Sequence, residues 1–281
     1  MIDLHIHSVL SDGTDDVQTL VEKINKKGIK IFSITDHDNF EACKVIHKNY
    51  INYLKDNKIK FINGVEFSSD FNGESMHVLA YNFDVNNKIM QDLVEESKNK
   101  RHLRILKRLE LLKKENGIIF TEEELNKLNS INDVGKPHIA KLLIEKGYAK
   151  IISEAITKFL YHKLPNEKLG ADYIIENINK AGGIAVLAHP LGGEGEHEIS
   201  KIKFENNVKK LIKYGLKGLE CYYSKYDILE RKIILNCGEK YNLLFSGGSD
   251  YHGENKTTIL SNLGKNYDLN INDFTILNLI N

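Results

Sequence analysis

The chain has 281 residues, 41% of them hydrophobic, which suits one large domain or one domain carrying an insertion. Its 39 basic and 39 acidic residues cancel, with a pI of about 7.2, so no long-range field demands nucleic acid or an acidic membrane as partner. Three cysteines, Cys43, Cys221 and Cys237, are odd in number and show no C-x-x-C spacing. They read as buried thiols of a cytoplasmic protein rather than as disulfides or ligands. No apolar run approaches the roughly 20 residues of a membrane span, and no leader is expected at the polar start.

The predicted elements alternate. Ile2 to Ile6 reads as a strand, and Val17, Leu20, Val21 and Ile24 follow at helical spacing, closed by Gly28. Ile29 to Ile34 is a buried strand ending at Thr35-Asp36-His37, and Ala42, Val45, Ile46 and Tyr50 mark a second helix. Ile59 to Val65 and Met76 to Phe83 are two more strands. This is the pattern of an α/β fold with a parallel sheet. From about Ile89 to Phe159 the chain turns helical and charged, with Leu103, Leu106 and Leu109 as the expected packed stripe. The alternation resumes with a helix from Ala171 to Lys180, a strand from Ile184 to Ala188, a helix face of Phe204, Val208, Leu211 and Ile212, a strand from Gly218 to Tyr222, a helix from Ile228 to Gly238, and a last strand from Leu243 to Ser246. The expected organisation is one domain of residues 1–88 and 165–281, with a helical insertion, 89–164, capping the active site.

Histidines and acids cluster at the strand ends: Asp3-Leu4-His5-Ile6-His7, Thr35-Asp36-His37-Asp38, Ala188-His189-Pro190 and Ser249-Asp250-Tyr251-His252, with Glu66 and His77 between the second and third. In parallel α/β folds the carboxyl ends of the strands converge on one face. His5 and His7 are two apart, which on a strand puts both rings on one side, where they can grip one ion. Glu66 has two oxygens and can bridge two ions, and Asp12 follows close after the first pair. A single strand histidine is more often a core or surface residue, but repetition at several strand ends points to a metal site. His47, His102, His162 and His197 sit in charged helices or polar loops and read as solvated. Asp36 and Asp38 flank His37 and are candidates to orient ligand imidazoles, whereas Asp3, inside a strand, reads as structural.

Taken together, His-x-His-Ser with Ser-Asp-Gly-Thr, Thr-Asp-His-Asp, Gly-Val-Glu, His-Val-Leu-Ala-Tyr, Ala-His-Pro and Gly-Gly-Ser-Asp-Tyr-His-Gly resemble the PHP (polymerase and histidinol phosphatase) family of metal-dependent phosphoesterases, in particular its 3′,5′-nucleotide bisphosphate phosphatase and 5′-exoribonuclease branch. The resemblance spans almost the whole chain, including Lys136-Pro137-His138-Ile139-Ala140 and Gly218-Leu219-Glu220-Cys221-Tyr222-Tyr223. It implies a distorted (β/α)7 barrel and a trinuclear site. One ion would take His5, His7, Glu66 and Asp250. A second would share Glu66 and take His77 and His189, and a third would take Asp12, His37 and His252. The segment from Leu160 to Lys168 departs from the more aromatic, glycine-rich stretch expected of that branch.

Mixed imidazole and carboxylate ligands favour two to three Mn, Fe or Zn ions over Mg. The implied activity is hydrolysis, by a metal-activated hydroxide, of phosphomonoesters of small nucleotides or of the 5′ ends of short RNA. Glu66, His138 and Asp250 are the catalytic candidates, with His138 able to protonate the leaving group. Lys136, His138, Arg101, Arg104 and Tyr222 are the substrate-binding candidates; of Tyr222 and Tyr223, one is expected at the pocket and the other in the core. A small phosphorylated substrate is expected as partner, with no membrane and no obligate protein partner. A histidinol-phosphatase-like activity is the alternative enzyme, and a non-catalytic metal-binding regulatory module is the alternative of another class.

Overall fold

The structure, a computed structural model, describes residues 1–129, 131, 134–162, 168–194, 197–263 and 269–280. Two compact units result: Met1–Val94 with Gly170–Asn281, and Glu95–Leu169. The expected boundary at 164/165 lies outside the described residues.

The strands are β1 (Ile2–Asp3), β2 (Ile31–Phe32), β3 (Lys60–Phe61), β4 (Gly64–Phe71), β5 (Glu74–Tyr81), β6 (Leu169–Gly170), β7 (Ile184–Leu187), β8 (Gly218–Tyr223) and β9 (Leu244–Gly248), all but Leu169 in the first unit. They form one sheet of order β1-β2-β3 and one of order β6-β4-β5-β7-β8-β9. Backbone hydrogen bonds join the two sheets at both flanks. Leu4 donates to Gly247 (3.1 Å) and Asp250 to His5 (2.8 Å), while Glu66 donates to Asp36 (3.2 Å) and Asp38 to Glu66 (2.8 Å). With β3 and β4 counted as one interrupted run, seven strands close in the order β1, β2, β3/β4, β5, β7, β8, β9. This is the distorted (β/α)7 barrel.

The distortion has a definite source. β4 pairs antiparallel with β5, and β5 antiparallel with β7, where uninterrupted alternation implied parallel neighbours. Phe71 pairs with Glu74, so only Asn72 and Gly73 separate the two strands, at φ 51° and 78°. An Asn-Gly pair with both φ positive is a two-residue hairpin turn, and no crossover helix fits in it, so β5 must run backwards.

The helices obey local rules. Val17–Lys27 starts at Asp16, whose carboxylate accepts from the Thr19 N–H (2.7 Å), and ends at Gly28 with φ 71°. Its face of Val17, Leu20, Val21 and Ile24 packs with Ile29, Phe32, Ile34, Ala42 and Ile46 in one apolar cluster. The second helix is longer than the spacing suggested: Glu41–Asn49 breaks at Tyr50 and resumes as Ile51–Asp56.

The second unit has its own core, which includes Ile105, Leu112, Ile139, Leu143 and Leu160. The stripe of its long helix, Lys88–Asn116, is not the one expected. Leu103 and Leu106 are exposed, and the inward face runs Arg101, Ile105, Arg108, Leu112, with Leu109 half-buried beside it. Two arginine stems serve on that face, which an apolar count alone does not register. None of the described helices is long and apolar enough to cross a membrane.

Candidate metal centre

All nine residues expected as metal ligands belong to the first unit, and the barrel brings them together. His5 and His7 follow β1, His37 follows β2, Glu66 lies in β4, His77 in β5, His189 follows β7, and Asp250 and His252 follow β9. His5, His7, Glu66, Asp250, His252, His189 and His37 are buried; Asp12 and His77 are half-buried.

Glu66 is the pivot. Its Oε2 lies 3.2 Å from His5 Nε2, 3.2 Å from His7 Nε2 and 3.1 Å from His37 Nδ1. Its Oε1 lies 3.0 Å from His77 Nδ1 and 3.0 Å from His189 Nε2. Asp250 Oδ1 completes the first set, 3.3 Å from His7 Nε2 and 3.6 Å from His5 Nε2. Around Asp12, His252 Nε2 stands at 3.2 Å, His7 Nδ1 at 3.6 Å and His37 Nε2 at 3.7 Å. Donor atoms separated by 3.0–3.7 Å match the edges of a coordination polyhedron with bonds of about 2.0–2.2 Å.

Three groups of side chains can each surround a cation: His5, His7, Glu66 and Asp250; His7, Asp12, His37 and His252; and His37, Glu66 and His77. The first coincides with the set implied by the resemblance. In the other two, His37 and His7 occupy shared positions, each turning its two ring nitrogens towards different acids.

Orphaned atoms provide the test of fit. Glu66 Oε2, Asp250 Oδ1, His37 Nδ1 and His252 Nε2 are buried and make no hydrogen bond. Such atoms are costly unless something satisfies them. All four face into the cluster, and all are good donors to a divalent cation, so the residues fit a metal site.

Electrostatics at the carboxylates and at His37 and His252 point the same way, while at His5 and His7 burial opposes charge but the neighbouring acids outweigh it and favour protonation. Burial pushes the Glu66 carboxyl up, but His5, His37, His77 and a bond from His189 outweigh it and hold it well below the usual range. Burial likewise opposes charge on Asp250, and Lys256, His252 and His5 overcome it. His37 and His252 are lowered by burial, which favours the neutral imidazole that binds metals.

The supporting groups are partly different from those expected. Among the described residues Asp36 hydrogen-bonds no imidazole directly; its carboxylate takes the Ser8 N–H (2.7 Å), the Ser8 hydroxyl (2.7 Å) and the Ser11 hydroxyl (2.6 Å), fixing the loop that carries Asp12. Asp38 accepts from the Ser68 N–H (2.9 Å). Asp3 is structural, as read: it accepts from Ser249 through N–H (2.9 Å) and hydroxyl (2.6 Å), and burial raises its pKa to about 6.

The imidazole-orienting acid is Glu220, which the motif reading quoted without assigning a role. It is fully buried in β8, with Oε1 2.9 Å from His5 Nδ1 and Oε2 accepting the His189 N–H at 2.8 Å. The available signal was an acid inside an otherwise apolar strand, Gly-Leu-Glu-Cys-Tyr-Tyr. Such partners fix the ring and tune its basicity. Glu220→Gln should lower metal affinity or activity by about 10–100-fold, measured as metal content after dialysis against graded chelator; an unchanged metal content would assign Glu220 to packing alone. His189 (φ 23°) and Asp250 (φ 54°) both hold left-handed backbone, unusual for non-glycine residues and typical of constrained sites. Gly248 leaves room for the first pair: a Cβ there would stand 2.2 Å from His5 Cβ.

The expected substrate contacts divide differently. Tyr223, not Tyr222, stands beside the cluster: its hydroxyl donates to Asp250 Oδ2 (3.2 Å), and its ring lies 5.6 Å from that of His189. Tyr222 points to the other side of β8, packed against Phe274 and Arg231, because side chains alternate along a strand. Lys136, His138, Arg101 and Arg104 belong to the second unit. Arg101 is buried, not solvated, and His138 Nδ1 accepts the Gly135 N–H (3.0 Å) at the start of the helix Lys136–Glu145. His47 and His102 are exposed, His47 facing Asn63 at 2.7 Å; His197 is exposed and His162 half-buried against Glu115. The three cysteines are buried and unbridged.

Several known proteins are similar to this chain. The chain is 27% identical over 271 residues to a 5′-3′ exoribonuclease of Haemophilus influenzae, covering 95% of this chain and 94% of the relative. It is 23% identical over 262 residues to a phosphoribosyl 1,2-cyclic phosphate 1,2-diphosphodiesterase of Eggerthella lenta (90% and 94%). It is 21% identical over 259 residues to a 3′,5′-nucleoside bisphosphate phosphatase of Chromobacterium violaceum (89% and 87%). Among solved structures, a Bifidobacterium adolescentis protein provisionally described as a metal-dependent phosphoesterase superposes with a TM-score of 0.81 at 25% identity, covering 100% of this chain and 96% of that one. The model of the PHP domain matches residues 3–213, a span that holds seven of the nine clustered residues, and the chain belongs to the PHP domain family.

Proposed function

We propose that the protein is a metal-dependent phosphoesterase that hydrolyses phosphomonoesters of small nucleotides, 3′,5′-bisphosphate nucleotides above all, or of the 5′ ends of short RNA. The observation that carries this reading is Glu66, whose two oxygens each face a different set of imidazoles. A carboxylate so placed is built to be shared by two cations. When bound, two to three ions of Mn, Fe or Zn would offset the charge of the phosphoryl oxygens and supply a nucleophile from water at neutral pH.

The protein's own groups do the rest. His5, His7, Glu66 and Asp250 would hold one ion, Glu66 with His77, His189 and His37 a second, and Asp12, His37 and His252 a third. Glu66 and Asp250 keep their negative charge despite burial. No Ser or Cys nucleophile is required, and the buried thiols of Cys43 and Cys237 are pushed up to about 12 and about 11, away from reactive thiolate. From the helical unit, Lys136, Arg101 and Arg104 would meet phosphate groups. His138 would give a proton to the leaving oxygen from Nε2, since Nδ1 accepts the Gly135 N–H. The named activities of the exoribonuclease and bisphosphate phosphatase relatives support the substrate class.

A phosphate-release screen with added Mn tests the reading. Adenosine 3′,5′-bisphosphate or short 5′-phosphorylated RNA should be preferred over mononucleotides and histidinol phosphate. A preference for histidinol phosphate would overturn the nucleotide assignment, and no release from any of them would overturn the phosphoesterase itself.

A further inference from the structure

We propose that Lys256 is a phosphate-binding residue of this site, gripping a non-bridging oxygen of the substrate at the far end of the Asp250 carboxylate. The inference deepens the phosphoesterase reading and rests on it for the identity of the anion.

Asp250 is used from both ends. Its Oδ1 belongs to the quartet with His5, His7 and Glu66 and has no hydrogen-bond donor. Its Oδ2 accepts from Lys256 Nζ at 2.7 Å and from the Tyr223 hydroxyl at 3.2 Å. A cation held by Oδ1 and the ammonium on Oδ2 would therefore flank one carboxylate. A phosphate group, with three non-bridging oxygens, can touch both.

A structural ion pair is the plain alternative, and two observations weigh against it. Asp250 is already positioned without the lysine: its N–H donates to the His5 carbonyl (2.8 Å), its carbonyl accepts from the Thr258 hydroxyl (2.9 Å), and Tyr223 holds its Oδ2. Lys256 also has capacity to spare. An ammonium has three donors, and among the described residues Asp250 is the one acceptor this ammonium meets.

Lys256 is not a loose surface lysine either. Its side chain is 23% exposed, enough for an arriving anion to reach it. The loop that carries it is pinned on both sides. Before it, Asn255 Nδ2 donates to the Asp12 carbonyl (2.7 Å) and the Glu254 N–H to the Thr14 hydroxyl (3.0 Å). After it, the Thr257 hydroxyl meets Glu194 Oε1 at 2.9 Å. A lysine held this way is a point charge delivered to one place.

The test uses the full chain loaded with Mn and inorganic phosphate as probe, titrated calorimetrically, with bound metal counted in parallel. Lys256→Met should keep the wild-type metal stoichiometry and bind phosphate at least about tenfold more weakly, the size of a lost charge-assisted hydrogen bond. Lys256→Arg should recover part of that loss. Two results overturn the assignment: unchanged phosphate affinity in Lys256→Met, or loss of metal in Lys256→Met, since the second means the lysine acts only by holding Asp250. Phosphate titration does not require turnover. A wild type that binds phosphate through Lys256 yet hydrolyses no phosphomonoester would sink the broader reading and leave this one standing.

Discussion

Glu66→Gln is expected to lower kcat/KM for a phosphomonoester by about 1000-fold or more, the scale of several kcal/mol of charge stabilisation by bound cations. The substitution nearly conserves volume, so it separates charge from packing. In the wild type the carboxylate faces five imidazoles, His5, His7 and His37 through one oxygen and His77 and His189 through the other. An amide cannot serve both sides: its NH2 end offers protons where a cation needs lone pairs. Glu66 also enters two of the three groups able to surround a cation. The variant should therefore lose more than one bound metal, and the metal count should fall together with the rate. His47→Ala, an exposed ring facing Asn63, is the control and should stay near wild type. Phosphate release and elemental analysis on the same samples decide the matter. A Glu66→Gln protein that keeps its metals and remains within tenfold of wild type would remove Glu66 from the centre of the mechanism.

The cluster was legible because its logic is local. His5 and His7 lie two apart, and strand geometry alone puts them on one face, where their Nε2 atoms stand 3.1 Å apart. The converging strand ends required only the alternation of strands and helices. Other features were not legible, each for its own reason. The reversed β5 was written in Asn72-Gly73, a hairpin signal masked by the expectation of parallel neighbours. Glu220 stands 215 positions from the imidazole it meets and Lys256 six positions after Asp250, and neither is part of a histidine motif. The choice between Tyr222 and Tyr223 depends on which way β8 presents its pleat, and a register shift between β8 and β9 at Glu220/Tyr222 lies at that point. One residue of register decides which ring meets the site. The stripe of the long helix failed similarly, because Arg101 and Arg108 take inward places that leucines were expected to fill.

Removing metal should cost the barrel much of its stability. The cluster holds three carboxylates among imidazoles, Asp12 half-buried at the rim and Glu66 and Asp250 buried inside, with four polar atoms lacking any hydrogen bond. A ligand that binds only the native state stabilises it by mass action, about 4 kcal/mol at a free concentration of 1000 times Kd. For a domain of this size that corresponds to about 10 °C in Tm. Chelator should therefore lower the melting temperature by about that amount, and Mn added back should restore it in a concentration-dependent manner. His37→Ala, which removes a nitrogen facing Glu66 and another facing Asp12, should shrink the shift by at least half, because it touches two of the proposed ion positions. The measurement is a thermal melt by circular dichroism at matched ionic strength, with Mg as the comparison ion. Mixed nitrogen and oxygen donors predict that Mn protects better than Mg at equal concentration. If chelator leaves the melt unmoved, and neither Mn, Fe nor Zn raises it, the imidazoles and carboxylates satisfy one another without a cation, and the metal centre is lost together with the chemistry built on it.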